Sequence, residues 1–215
     1  MRVPLLDLSG QYRALVAPIR KQIDEVLLSQ RFILGPKVEQ FERALCDYTG
    51  AKFAIGVSSG TDALLAVLMA LEIGPGGAVI TTPYSFFATA ACIARVGATP
   101  LFVDIDPETF NISPQAIRSF IEKNCRRANG VLMTRDRQAV RLIIPVHLFG
   151  LCCEMDAIMK IAREHELLVV EDAAQAIGAG YPQASGATSA GAIGDIGCFS
   201  FYPSKNLGAA GDAGA

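Results

Sequence analysis

Apolar positions between residues 13 and 28 recur at helical spacing (Leu15, Val16, Ile19, Ile23, Val26, Leu27) and predict an amphipathic helix. The stretch Phe32-Ile33-Leu34-Gly35-Pro36 breaks that pattern. Pro36 suits the first turn of a second helix over 37–48, with Val38, Phe41, Leu45 and Tyr48 on one face and Thr49-Gly50 as its end. From Lys52 the pattern changes: 53–57 reads as a short buried strand. Residues 62–73 follow as a helix that is apolar nearly all round, which predicts burial on several sides. Strands are then expected over 78–82, 99–104, 142–146, 167–170 and 197–202, the last stopped by Pro203. Helices are expected over 86–96, from Ser113-Pro114 onward, and over 155–165. The basic stretch 126–138 reads as a solvated excursion, with anion binding as the alternative; 181–194, rich in Gly, Ala and Ser, reads as a loop.

Short, fully apolar strands alternating with helices predict an α/β fold: a three-layer αβα sandwich around a mostly parallel sheet, covered on both faces. In such sheets ligands sit outside the carboxyl ends of the strands, so the residues just after each strand are the ones to compare.

Composition narrows the classes. Apolar residues are 51% and charged residues 19%, the balance of an ordinary globular protein. A net charge of −2 gives no nucleic-acid footprint. The uncharged run 63–71 is far too short to span a bilayer, and the amino-terminal residues carry no signal-peptide core, so a cytoplasmic protein is expected. Six cysteines without a C-x-x-C pair, and only His147 and His165, make no metal spacing; free thiols are expected.

Four strand ends carry candidate chemistry. Ser58-Ser59-Gly60-Thr61 runs straight into a helix; it is either a plain N-cap or a phosphate cradle of free amides and hydroxyls. Tyr84-Ser85-Phe86-Phe87 places aromatics where they stack on a planar ring or pack in the core. Asp172 ends a very apolar strand, where an acid is costly unless paired; a cationic ring nitrogen pairs it, and so does a salt bridge or an N-cap. Gln175, three residues on, has an amide able to donate to a phenolate oxygen. Lys205 follows an almost uncharged apolar stretch that desolvates its amine; alone it reads as a solvated loop lysine. Together these are a phosphate cradle, a stacking aromatic, an acid for a ring nitrogen and a lysine for an aldehyde, the corners of pyridoxal phosphate.

The chain closely resembles the DegT/DnrJ/EryC1/StrS family of pyridoxal-phosphate-dependent sugar aminotransferases. The resemblance is carried by Phe32-Ile33-Leu34-Gly35-Pro36, Ser59-Gly60-Thr61-Asp62-Ala63-Leu64, Phe102-Val103-Asp104-Ile105, Pro145-Val146-His147-Leu148-Phe149-Gly150, Glu171-Asp172-Ala173-Ala174-Gln175-Ala176 and the segment around Lys205. It implies Lys205 as the Schiff-base lysine and proton carrier, and Asp172 as the partner of the pyridine nitrogen. It implies Gln175 beside the ring hydroxyl, Ser59, Gly60 and Thr61 as phosphate cradle, and Ser200 as a further phosphate contact. Phe86 is implied as the stacking ring with Tyr84 in reserve, and His147 as a pocket residue or a packed structural histidine. Leu151-Cys152-Cys153-Glu154 departs from the family pattern.

The resemblance further implies transfer of an amino group, from glutamate, to a keto-sugar usually linked to a nucleotide. A sugar dehydratase is the alternative, argued against by the lysine; a non-catalytic regulatory protein or an inactive fold remnant are the others. It implies a homodimer with a shared site. Residues 1–35 are expected as an amino-terminal segment and 36–215 as an incomplete cofactor-binding large domain, with the small carboxyl-terminal domain absent. On that expectation the chain is a truncated product, poorly soluble and inactive alone.

Overall fold

The computed structural model describes residues 3–4, 6–184 and 186–215. Met1, Arg2 and Leu5 of the expected amino-terminal segment and Ser185 of the expected loop lie outside the described residues. Two helices, α1 (Ser9–Ser29) and α2 (Pro36–Thr49), precede the sheet. Pro36 occupies the first turn of α2, and Gly50 closes it at φ 77, a left-handed cap that glycine adopts without strain. There follow α3 (Gly60–Ala70), β1 (Gly77–Thr81), α4 (Phe87–Arg95), β2 (Thr99–Phe102) and α5 (Pro114–Asn124). Then come β3 (Cys125–Ala128), β4 (Val131–Thr134), β5 (Ala139–Ile143), α6 (Met155–His165) and β6 (Leu168–Asp172). A small hairpin, β7 (Gly180–Gln183) with β8 (Gly186–Ser189), leads to β9 (Ile196–Cys198).

The order β2-β1-β5-β6-β9 is parallel throughout, as the apolar strands predict. Side-chain alternation divides each strand between two cores. Ala78, Ile80, Val140, Ile143 and Val169 pack on one face with Ile117 and Ile121 of α5 and Ile158 and Ile161 of α6. Val79, Leu142, Val170 and Cys198 pack on the other with Leu64 and Leu68 of α3 and Cys92 and Ile93 of α4. This is the three-layer αβα arrangement.

Four expectations need correction. The stretch 53–57 is extended but forms no strand: Phe53 is 77% and Ile55 72% exposed, and only Val57 bridges, antiparallel to Gly214. A strand needs a backbone partner as well as an apolar sequence, and the backbone pairing recorded for this stretch is the one bridge between Val57 and Gly214. Accordingly α3, expected to be buried on several sides, has its outer face open: Met69 is 64% exposed, and Ala66, Val67 and Ala70 line an apolar groove that runs to β9.

The basic stretch 126–138 is largely solvated as expected, with 126–131 and 135–137 exposed, but it is regular structure. It is a hairpin, β3 with β4, whose second strand adds antiparallel to β5. Asn129-Gly130 makes its two-residue turn, both at positive φ. That dipeptide is a strong hairpin signal which the charge of the stretch obscured. The arginines are tolerated because β3 is a sheet edge, and Arg127 pairs with Glu166 at 3.0 Å. The stretch 181–194 likewise carries the β7–β8 hairpin. All six cysteines are unpaired. Among the described residues no helix is long and apolar enough to cross a membrane.

Candidate active site

A cavity of about 190 Å³ opens at the carboxyl ends of the parallel strands. Its walls come from the start of α3, the Ser85–Phe86 turn after β1, the ends of β6 and β9, and the segment after β9. Ser59, Gly60, Thr61, Phe86, Asp172, Gln175, Ser200 and Lys205, drawn from four separate stretches of sequence, all line it.

At the base of α3, Ser59 is the N-cap: its hydroxyl accepts the Asp62 amide at 3.0 Å. The plain capping role therefore holds for the Ser59 side chain. The amides of Gly60 and Thr61 belong to the first turn, where no carbonyl of the helix reaches them. They leave two N–H donors and the positive helix end at the cavity. Gly60 is required by a close approach: a Cβ there falls 2.7 Å from Ser200 Cβ. Replacing Gly60 with Ala is expected to cost about 1–3 kcal/mol in stability by overpacking; chemical denaturation of the two proteins measures it.

Residues 213–215 reinforce this corner, and nothing in the pattern of apolar positions announced them. The Val57 amide donates to Gly214 O and the Gly214 amide to Val57 O, both at 2.9 Å; the Phe199 amide donates to Ala215 O at 2.7 Å. This short segment is wedged between the stretch before α3 and the stretch after β9. Gly214 lies against Ser59, where an added Cβ comes within 2.3 Å of backbone. A glycine in a run of small residues was the available signal.

Asp172, 5% exposed, ends β6. Thr89 of α4 donates its hydroxyl to Asp172 Oδ2 at 2.7 Å, and the Ala174 amide donates to Oδ1 at 3.2 Å. Ser85 Oγ lies 2.9 Å from Thr89 Oγ1, which extends the hydroxyl chain. Burial pushes the Asp172 carboxyl above the usual carboxylate range; the Thr89 hydroxyl, the Ala174 amide and nearby positive groups oppose this without cancelling it. Thr89 is a site residue that sequence reading missed, since a hydroxyl inside a predicted helix gives no sign of the strand it faces.

Gln175 accepts the Phe149 amide through Oε1 at 2.8 Å. Its two N–H donors are thereby left for the cavity. Phe149 makes this bond from left-handed backbone, φ 53, uncommon for an aromatic residue. Phe86 caps α4 from an extended conformation and is 69% exposed at the cavity mouth.

Two expected residues are placed elsewhere. Tyr84 does not line the cavity and packs against Phe110, ring centroids 5.9 Å apart. His147 is fully buried: its Nδ1 accepts the Cys153 amide at 3.1 Å and its Nε2 lies 2.7 Å from Glu171 Oε2. Because Nδ1 is an acceptor, the proton sits on Nε2 and is donated to Glu171. His147 is a packed structural histidine, and burial in the middle of a polar network is what its strand-end position left open.

The sequence profile of the DegT/DnrJ/EryC1/StrS aminotransferase family matches residues 14–215. A "Pleiotropic regulatory protein" of Geobacillus stearothermophilus is 46% identical over 100% of this chain and 52% of its own. A UDP-N-acetyl-3-dehydro-alpha-D-glucosamine 3-aminotransferase of Acidithiobacillus ferrooxidans is 42% identical over 99% of this chain and 52% of its own. The crystal structure of NtdA from Bacillus subtilis with bound cofactor PMP superposes with a TM-score of 0.82, at 36% identity, over 99% of this chain and 44% of that one. The chain spans about half the length of the curated relatives it matches.

Proposed function

Because the chain belongs to the DegT/DnrJ/EryC1/StrS aminotransferase family, we propose that its cavity holds pyridoxal phosphate. The reaction it serves is transfer of an amino group from an amino acid, glutamate, to a nucleotide-linked keto-sugar. The observation that carries this reading is the convergence of Lys205, Asp172, Gln175 and the start of α3 on one cavity. The relative named as a sugar-nucleotide aminotransferase supports the substrate class.

The donor set fits the group. The Gly60 and Thr61 amides and the Ser200 hydroxyl suit a phosphate dianion. Asp172 is a buried carboxylate with hydrogen bonds to both oxygens but no ion-pair partner among the described residues. A protonated pyridine nitrogen supplies the missing positive charge. The Gln175 amide would donate to the ring phenolate, and Phe86 would stack on one ring face.

Bound there, pyridoxal phosphate supplies a ring that draws electrons from the carbon where bonds to hydrogen are made and broken. Lys205 Nζ, in the cavity wall, would hold the cofactor by its aldehyde. Freed from that anchor, Lys205 Nζ would be placed to act as base and then acid, holding and returning one proton at the cavity. Asp172, at the cavity, would hold the ring nitrogen protonated. Thr89 and the Ala174 amide aim its oxygens. The exposed rings of Phe86, which lines the cavity, and of Phe149, on the turn bonded to Gln175, support a homodimer in which a second copy completes the site.

The test is chemical. Pyridoxal phosphate is added to the full chain, the visible absorbance is recorded, borohydride is added, and the digest is read by mass spectrometry. A reduced cofactor adduct on Lys205 is expected. An adduct on another lysine, or none, defeats the assignment.

A further inference from the structure

Along β6, Asp172 faces the cavity and Glu171 faces the opposite side of the sheet. Glu171 is fully buried, yet its carboxylate accepts four hydrogen bonds. Oε2 takes the His147 Nε2–H at 2.7 Å and the Gly191 amide at 2.8 Å. Oε1 takes the Ile193 amide at 2.7 Å and the Gly194 amide at 2.6 Å. Burial alone raises such a carboxyl; the His147 ring and the amides of Gly194 and Gly191 outweigh it and leave Glu171 below the usual range.

The donors come from the two segments that carry the rest of the site. The loop 191–194 feeds β9, after which come Ser200 and Lys205. It is packed without slack: a Cβ at Gly191 falls 2.2 Å from Phe199 Cζ, and one at Gly197 falls 2.1 Å from Gly191 O. Asp195 extends the tie, its Oδ2 accepting the Val169 amide at 2.8 Å. On the other side, the His147 amide donates to Asp172 O at 3.0 Å, and the turn after His147 presents the Phe149 amide to Gln175. Cys153 closes this side by donating its thiol to Val146 O at 3.1 Å.

We propose that Glu171 is a positioning residue for the cavity: its carboxylate joins the 191–194 loop and His147 to β6, and so sets how far Ser200, Lys205 and Gln175 stand from Asp172. The claim about the tie stands on this geometry; its consequence for the cofactor rests on the function proposed above. Both oxygens are saturated by donors, so an amide at this position sets its own NH₂ against two N–H groups. Glu171→Gln therefore breaks half of the tie. Glu171→Asp keeps the charge but withdraws it by one methylene.

Two measurements on the full chain separate the claims. In the cofactor-free protein, hydrogen exchange at the Gly191, Ile193 and Gly194 amides is expected to quicken by about tenfold or more in both variants. Wild-type exchange there overturns the tie. In the loaded protein, both variants are expected to bind pyridoxal phosphate about tenfold more weakly. Both are also expected to shift the pH midpoint of its visible absorbance. A lowered melting temperature with wild-type affinity and midpoint overturns positioning in favour of a purely structural role. A midpoint that moves in Glu171→Gln but not in Glu171→Asp overturns it in favour of a charge effect. If Glu171→Gln does not fold, Glu171→Asp decides by the same readings. Wild-type protein that fails to bind pyridoxal phosphate defeats the proposed function instead, and the exchange measurement still decides the tie.

Discussion

Replacing Lys205 with Ala is expected to abolish borohydride fixation of pyridoxal phosphate and to lower amino transfer by at least about 10³-fold. Its side chain has two tasks, the covalent anchor and the moving proton, and general acid–base catalysis alone contributes about 10²–10⁴-fold. The cofactor is expected still to bind, because the Gly60 and Thr61 amides, Asp172 and Gln175 do not depend on the lysine. Equilibrium dialysis against pyridoxal phosphate, run beside the borohydride assay, checks both halves. Retained transfer by the Lys205→Ala protein removes Lys205 from the mechanism. Loss of all binding shows that the rest of the cavity was not a cradle.

Asp172→Asn is expected to move activity and stability in opposite directions. The Asp172 carboxyl is buried at the cavity, and that burial raises its pKa in the folded state. The folded protein then holds this proton more tightly than the unfolded chain does. The stabilisation is present at acid pH and is lost as pH rises from the unfolded value through the raised folded one. At neutral pH the cofactor-free protein therefore carries a buried charge at a net cost. Asn removes it, with an expected gain of about 1 kcal/mol and a melting temperature higher by about 2–4 °C. The acid-side pH dependence of stability should flatten with it. Activity should fall by about 10²–10³-fold, because Asn does not hold a proton on the ring nitrogen by charge. Thermal melts with and without cofactor, from pH 4 to 8, test the sign; a cofactor-free Asn variant less stable than wild type at pH 7 refutes it.

The same buried acid shows how much of the site was legible. Asp172 stood out because a carboxylate at the end of Leu167–Val170 has no cheap place to go, and Lys205 because it follows an uncharged strand. Gly60 and Thr61 were readable as a helix start aimed at an anion. Thr89 and Phe149 were not, since each acts through a contact between segments far apart along the chain. His147 had the right position along the chain, yet the structure turns it away from the cavity toward Glu171. Which way a strand-end residue faces depends on its neighbours in space.

Secondary structure divides in the same way. The parallel strands and their helices follow from local period, and Ser113-Pro114 and Pro36 start helices as their chemistry requires. The β3–β4 hairpin was hidden by its arginines although Asn129-Gly130 encodes the turn. The stretch 53–57 had a strand's composition and lacks a strand's partner.

By itself the sequence determined the α/β alternation, the carboxyl-end location of the site and the residue types that cofactor chemistry needs. These rest on periodicity and on side-chain chemistry, which are local. Only the tertiary structure decided that Thr89 aims Asp172, that residues 213–215 brace the start of α3, and that Glu171 ties the loop before β9 to His147. Each of those is a hydrogen bond or a close approach between segments far apart along the chain. Such contacts exist only once the strands are laid side by side.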